Sequence, residues 1–256
     1  MNAEQLEILA PALAVGALVA IVHAPLGIEV LKRGIVFIDL AIAQIAGLNI
    51  VLVRLWWEAP HWLWVQAVAG LSALVAALFF RWIEKSLPKE QEAVIGSSFI
   101  LAASAALLAL ANHPQGGDEI RHILSGQILF ATWEDAAAFL PVYATVFLIW
   151  AFYKRATQGL VFFLLLSAAI TASVQLVGVY VVFASLILPA LAVNVIDRRK
   201  VLHAWVCALL AVIGGITITT MLDLPAGPGL VFGFAITAFV YRLAFYLLGS
   251  HQPRTP

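Results

Sequence analysis

From Ala156 to Ile196 the chain carries no charged residue. Those 41 residues would make about 60 Å of helix, enough to cross a ~30 Å hydrocarbon layer twice. Gly178, in Val177-Gly178-Val179, is the expected break between the two passes. The rest of the chain repeats the theme. It is 63% hydrophobic and 11% charged, against about 25% charged in soluble domains. Fourteen acidic and fourteen basic residues cannot coat a soluble fold of 256 residues, so the apolar side chains must face lipid. The expected fold class is all-α: a polytopic transmembrane helical bundle of about eight to nine spans.

Charges mark where the other spans end. The first covers 8–28. Between Asp39 and Arg54 lie only fourteen residues, so a span near 35–54 takes Asp39 into its first turns. Further spans are expected at 61–81, 94–112, 136–153, 201–222 and 229–248. Placing the N-terminus outside leaves only Arg54 and Arg121 of the basic residues on the outer face and puts the rest, Lys32 to Arg254, inside. Loops are short and no linker or repeat is visible, so 1–256 reads as one transmembrane domain. No basic stretch precedes the first apolar run, unlike a cleaved signal peptide, and 250–256 reads as a loose tail. Zero net charge implies no nucleic-acid partner. The one cysteine, Cys207, sits in an apolar run and reads as core.

Asp39 is the most informative single residue. A carboxylate at mid-bilayer costs about 2.5–3.5 kcal/mol on insertion scales, less near a span end, and usually faces the bundle interior and a pathway. A bond to a helix terminus is the structural alternative. With span 1 ending at 28, His23 is expected at the depth of Asp39, across the hairpin at 29–34, with Glu29 at its mouth. Gln44 is rotated by about 140° from Asp39 and lies off its stripe. Imidazole and carboxylate suit borderline divalent ions such as zinc or manganese. The alternative is a polar lining for backbone freed by Pro25.

On the outer face, Asp223-Leu224-Pro225-Ala226-Gly227-Pro228 reads as a tight turn, structured by Pro225 and Gly227, where Asp223 can attract cations. Asp118 and Glu119, with His113 and His122, form an acidic outer loop. Pro189 is expected to kink its helix. Gln175 is a weak lining candidate. Tryptophans clustered at 56–64 read as interfacial anchors. There is no HExxH, no GxSxG and no GxxxxGK[ST] in the chain. An enzyme reading has no constellation to stand on, and the chain is not expected to hydrolyse ATP or hold a cofactor.

Four patches carry a family resemblance: Pro25-Leu26-Gly27 with Lys32-Arg33-Gly34 and Phe37-Ile38-Asp39-Leu40-Ala41; Ile120 to Asp135, in which Ile123 to Leu129 precedes Trp133-Glu134-Asp135; Val177-Gly178 through Leu188-Pro189-Ala190; and Asp223 to Pro228. In order and spacing, the chain resembles the membrane permease subunit of metal-uptake ABC transporters, which import zinc, manganese or iron. The resemblance implies a homodimer of permeases in the cell inner membrane, two cytoplasmic ATPase subunits that use ATP, and a periplasmic or surface metal-binding protein that delivers a divalent metal. Asp39 matches the family's acidic residue on the second helix, proposed to meet the ion.

Two features depart from the family pattern. Ala43 stands four residues after Asp39, where many members carry histidine, and Gln44 follows it. The connection Lys154 to Gly159 is much shorter than the family's, which holds a coupling helix that docks on the ATPase. A second inner loop, 82–93, is one way round that gap. A secondary transporter or channel, or a membrane partner not coupled to ATP, is the alternative reading.

Overall fold

The computed structural model describes residues 3–57, 61–111, 113, 117, 123–196 and 198–249. Among them there is no strand. Eight long helices follow in order: α1 (Ala3–Arg33), α2 (Ile38–Trp56), α3 (Trp62–Ser86), α4 (Gln91–Leu110), α5 (Trp133–Phe152), α6 (Gly159–Ala192), α7 (Lys200–Met221) and α8 (Ala226–Gly249), with a 3₁₀ turn at Ile128–Phe130 between α4 and α5. Each of the eight is long and apolar enough to cross a membrane. The all-helical, multi-pass expectation is met.

Local chemistry sets the helix ends. α1 stops at Gly34, whose φ is +71°. The N–H of Gly34 bonds Leu31 O (3.3 Å) and that of Ile35 bonds Val30 O (3.4 Å). This paired arrangement satisfies two free carbonyls and needs a left-handed residue, which glycine adopts without strain. Lys32 and Arg33 sit in the last turn, where the helix dipole favours cations. α5 opens with a capping box. The Asp135 N–H donates to Thr132 Oγ1 (3.2 Å), and the Thr132 N–H donates to Asp135 Oδ2 (2.9 Å).

α6 is two limbs, 159–177 and 179–192, joined at Gly178 with φ +77° and ψ 164°. The chain reverses there. His23 Nδ1 lies 2.8 Å from Ser185 Oγ, and His23 Nε2 lies 3.0 Å from Ser173 Oγ. One imidazole therefore spans two residues that a straight helix would hold about 18 Å apart. The expected break at Gly178 is thus a hairpin tip. A Cβ there would collide with Gly126 N, so both the dihedral and the space exclude a side chain. The second limb, about 21 Å long, is short for a full crossing.

α1 and the α6 hairpin form the centre. α1 packs on α6 and α7, while α2 and α3 also pack on α6 and α4 lies against α2. Gly27 lets α1 approach the second limb so closely that a Cβ would strike the Leu186 carbonyl. Gly233 on α8 meets Gly215 on α7 in the same way, the small-residue packing typical of membrane helices. Outward-facing apolar residues are left bare, Phe152 at 80% and Leu108 at 77% exposure, as a lipid solvent allows.

All the helix ends near Arg33, Arg81, Lys154 and Arg242 lie at one end of the bundle. Arg33 bonds Glu84 on α3 and the Thr157 carbonyl (2.7 Å) and lies over the Phe162 ring (4.2 Å). Arg242 bonds Leu191 O (2.9 Å). We refer to this as the basic end.

Candidate functional site

Asp39 is the second residue of α2, in the open first turn where helical N–H groups lack partners. It is fully buried, and neither carboxylate oxygen has a hydrogen-bond partner. Its oxygens lie near the N–H groups of Asp39 and Leu40, and its charged neighbour is Glu92 on α4. Glu92 reaches over to the same helix start. Its Oε1 accepts the Phe37 N–H at 3.3 Å, while its Oε2 is buried without a partner. Glu92 escaped the sequence reading because Lys89-Glu90-Gln91-Glu92 looks like a solvated charge run. The available signal was its place in the first turn of an apolar helix.

His23 sits elsewhere. α1 runs to Arg33 rather than ending at 28, because Pro25 does not break it. This puts His23 about 15 Å from the inner end of α1, whereas Asp39 is at the very start of α2. The expectation of equal depth is corrected accordingly.

The imidazole belongs to a closed hydrogen-bond relay. Ser185 Oγ lies 2.9 Å from Val182 O, to which it can donate; with its proton used there it accepts from His23, which assigns the proton to Nδ1. Nε2 is then an acceptor, Ser173 donates to it, and the Tyr143 hydroxyl donates to Ser173 Oγ (2.7 Å). His23, Ser173 and Ser185 are each 0% exposed and Tyr143 is 1% exposed. The relay fastens α1 to α5 and to both limbs of α6, and it leaves no lone pair on His23 for an ion.

The other expected lining residues do not converge on Asp39. Glu29 pairs with Lys32 at 3.4 Å. Gln44 lines an apolar cavity of about 620 Å³ with Phe99, Tyr180 and Phe183. Far from the basic end, Arg54, Gln66, Gln127, Asp135 and Gln175 line a polar cavity of about 660 Å³ that also touches Val174 and Leu176 near the hairpin tip. Gln66 Nε2 donates to Gln175 Oε1 at 2.9 Å. Asp223 stands at an exposed turn with φ +51°. Pro225 precedes α8, and Gly227 is buried so tightly that a Cβ would strike Ser125 O. Pro189 lies within the second limb of α6. Asp118, Glu119 and His122 fall outside the described residues, as does the tail 250–256. Among the described residues no group of three or more His, Cys, Asp or Glu side chains is placed to hold a metal.

The model of the ABC 3 transport family matches residues 5–158 and again residues 154–246. The two matches meet at the short connection between α5 and α6. Among solved structures, a chain of PsaBC from Streptococcus pneumoniae in complex with Fab superposes with a TM-score of 0.75 at 19% identity, over 96% of this chain and 98% of that one. At that identity the likeness is one of fold. No curated protein matches the chain.

Proposed function

The chain belongs to the ABC 3 transport family, the metal-uptake permeases that its motifs resemble, and from that premise we propose that it is the membrane subunit through which an ABC importer moves a divalent metal ion. One observation carries the reading: a fully buried carboxylate with both oxygens unpartnered, at the position matching the family's acidic residue on the second helix. An uncompensated charge inside a lipid-solvated bundle is costly. A cation in transit is the compensation that makes the residue useful. With no histidine beside Asp39, zinc and manganese remain the candidate cargoes, and oxygen ligands weigh toward manganese.

The basic end is the cytoplasmic one by the distribution of lysine and arginine, which puts the start of α1 outside and the end of α8 inside. A second permease copy completes the membrane unit. ATPase subunits on separate chains work at the basic end, and a metal-binding protein delivers the ion to the opposite end.

The connection between α5 and α6 is an unsuitable docking element for the ATPase. Ala156 is buried, and Arg33 grips the Thr157 carbonyl and Glu84, which also pairs with Arg81. The turn between α3 and α4 is freer: Ser86 to Glu90 are all exposed, whereas from Lys154 to Gly159 on the α5–α6 connection only Lys154, Arg155 and Gln158 are. Contact with the ATPase falls to this turn. The alternative, a secondary transporter, predicts no such contact. ATP-dependent uptake of manganese or zinc into vesicles holding the permease, its ATPase and the binding protein tests the proposal. Uptake that persists when the ATPase is left out overturns it.

A further inference from the structure

Asp39 is not alone at the start of α2. We propose that Asp39 and Glu92 together form a cation site at the basic end, with Glu92 on α4 as the second carboxylate ligand. The site takes an oxygen-preferring divalent ion such as Mn²⁺. Its use in transport rests on the reading above; its existence rests on geometry and charge.

Three carboxylate oxygens of this pair, both of Asp39 and Oε2 of Glu92, are buried without a partner. The two groups are electrostatic neighbours, and Glu92 is fixed toward α2 by its bond to the Phe37 N–H. The positive charge on hand is that of two helix starts, α2 at Asp39 and α4 at Glu92, each worth roughly half an elementary charge. Together they offset about one of the two carboxylate charges. None of the ion pairs among the described residues includes either one: Lys32 is on Glu29, and Arg33 and Arg81 are on Glu84. Asp39 is fully buried and Glu92 half-buried, so water reaches the pair only from the Glu92 side, and a bound cation would supply the charge still missing.

The donor set fixes the class of ion. Carboxylate oxygens suit Mn²⁺, Mg²⁺ or Ca²⁺, and neither thiolate nor imidazole is present to favour Zn²⁺. Two carboxylates leave most of the coordination shell to water. That matches an ion in passage rather than a resident structural metal. Glu92 also supplies what the position of Ala43 withholds, a second ligand for the ion held by Asp39, but from a neighbouring helix.

The test is Mn²⁺ binding to the purified full-length chain in detergent, read from loss of the free-ion EPR signal and from the Mn²⁺-induced shift in melting temperature. Wild type is expected to bind. Glu92→Gln and Asp39→Asn are each expected to weaken binding by about tenfold or more, the scale on which groups around a metal act, and Glu92→Asp to retain most of it. Both Gln and Asn remove repulsion, so the metal-free variants are expected to melt no lower than wild type. Binding by Glu92→Gln equal to wild type overturns the inference, as does a metal-free loss of stability with the Mn²⁺ shift intact. If wild type binds no Mn²⁺ while the assembled transporter still accumulates metal, the site is wrong and the transport reading stands. If the site binds Mn²⁺ but the assembled vesicles accumulate none, the reverse holds.

Discussion

Two buried polar groups, Asp39 and His23, have opposite fates at the level of single residues. His23 is saturated by Ser173 and Ser185, whereas Asp39 has no partner. Saturation makes a group structural, and the relay's direction makes this testable. Ser173→Ala orphans both the Tyr143 hydroxyl and His23 Nε2, each costing about 1–3 kcal/mol when buried. Tyr143→Phe removes only a terminal donor and leaves the Ser173–His23 bond, a loss of about 0.5–1.5 kcal/mol. Thermal unfolding in detergent should therefore rank Ser173→Ala below Tyr143→Phe; the reverse order would falsify the placing of Ser173 as the shared partner of Tyr143 and His23. Asp39→Asn should lower metal uptake into vesicles while membrane insertion and melting behaviour are unchanged. Wild-type uptake kinetics in that variant would remove Asp39 from the pathway.

The informative element is the α6 hairpin. A continuous apolar run is compatible with one long helix or two shorter ones. The choice is made by one residue that must adopt a positive φ and accept the backbone of Gly126 against its Cα. Gly178→Ala is expected to abolish a monodisperse folded species, because both strain and collision oppose it. Gly70→Ala is the control. Gly70 lies mid-helix with open space around it, and alanine there should be neutral or stabilise by up to about 1 kcal/mol. Size-exclusion profiles of the two variants decide the matter, and a well-folded Gly178→Ala protein would refute the hairpin-tip role. Irregular backbone at this depth is tolerable because it is buried against protein, where segment 123–130 and the start of α8 close over it.

At the scale of the whole molecule, the proposed function makes the charge distribution and the α5–α6 connection the features that choose which surface an ATPase would meet. Disrupting the exposed α3–α4 turn, for instance with Leu87→Ser and Lys89→Glu together, should reduce co-purification of the ATPase. Lys154→Ala, on the clamped connection, should not. Inserting a family-type docking loop between Arg155 and Thr157 should raise permease-stimulated ATP hydrolysis, measured as phosphate release. No gain there, with an intact response to the α3–α4 changes, would place coupling wholly on that turn. Lipid solvation, the all-helical fold with about eight to nine spans, the break at Gly178 and the place of Asp39 in the first turns of its span were legible in the residues themselves. Each follows from the local cost of exposing charge or backbone to hydrocarbon, which acts on every residue wherever it packs. The approach of Glu92 to the start of α2, where Asp39 stands 53 positions before it, and the bonding of His23 to Ser173 and Ser185 were not legible. A polar side chain in an apolar span announces that it needs a partner, but its choice depends on which helix faces lie together and on where α1 ends, and only the packed bundle settles those.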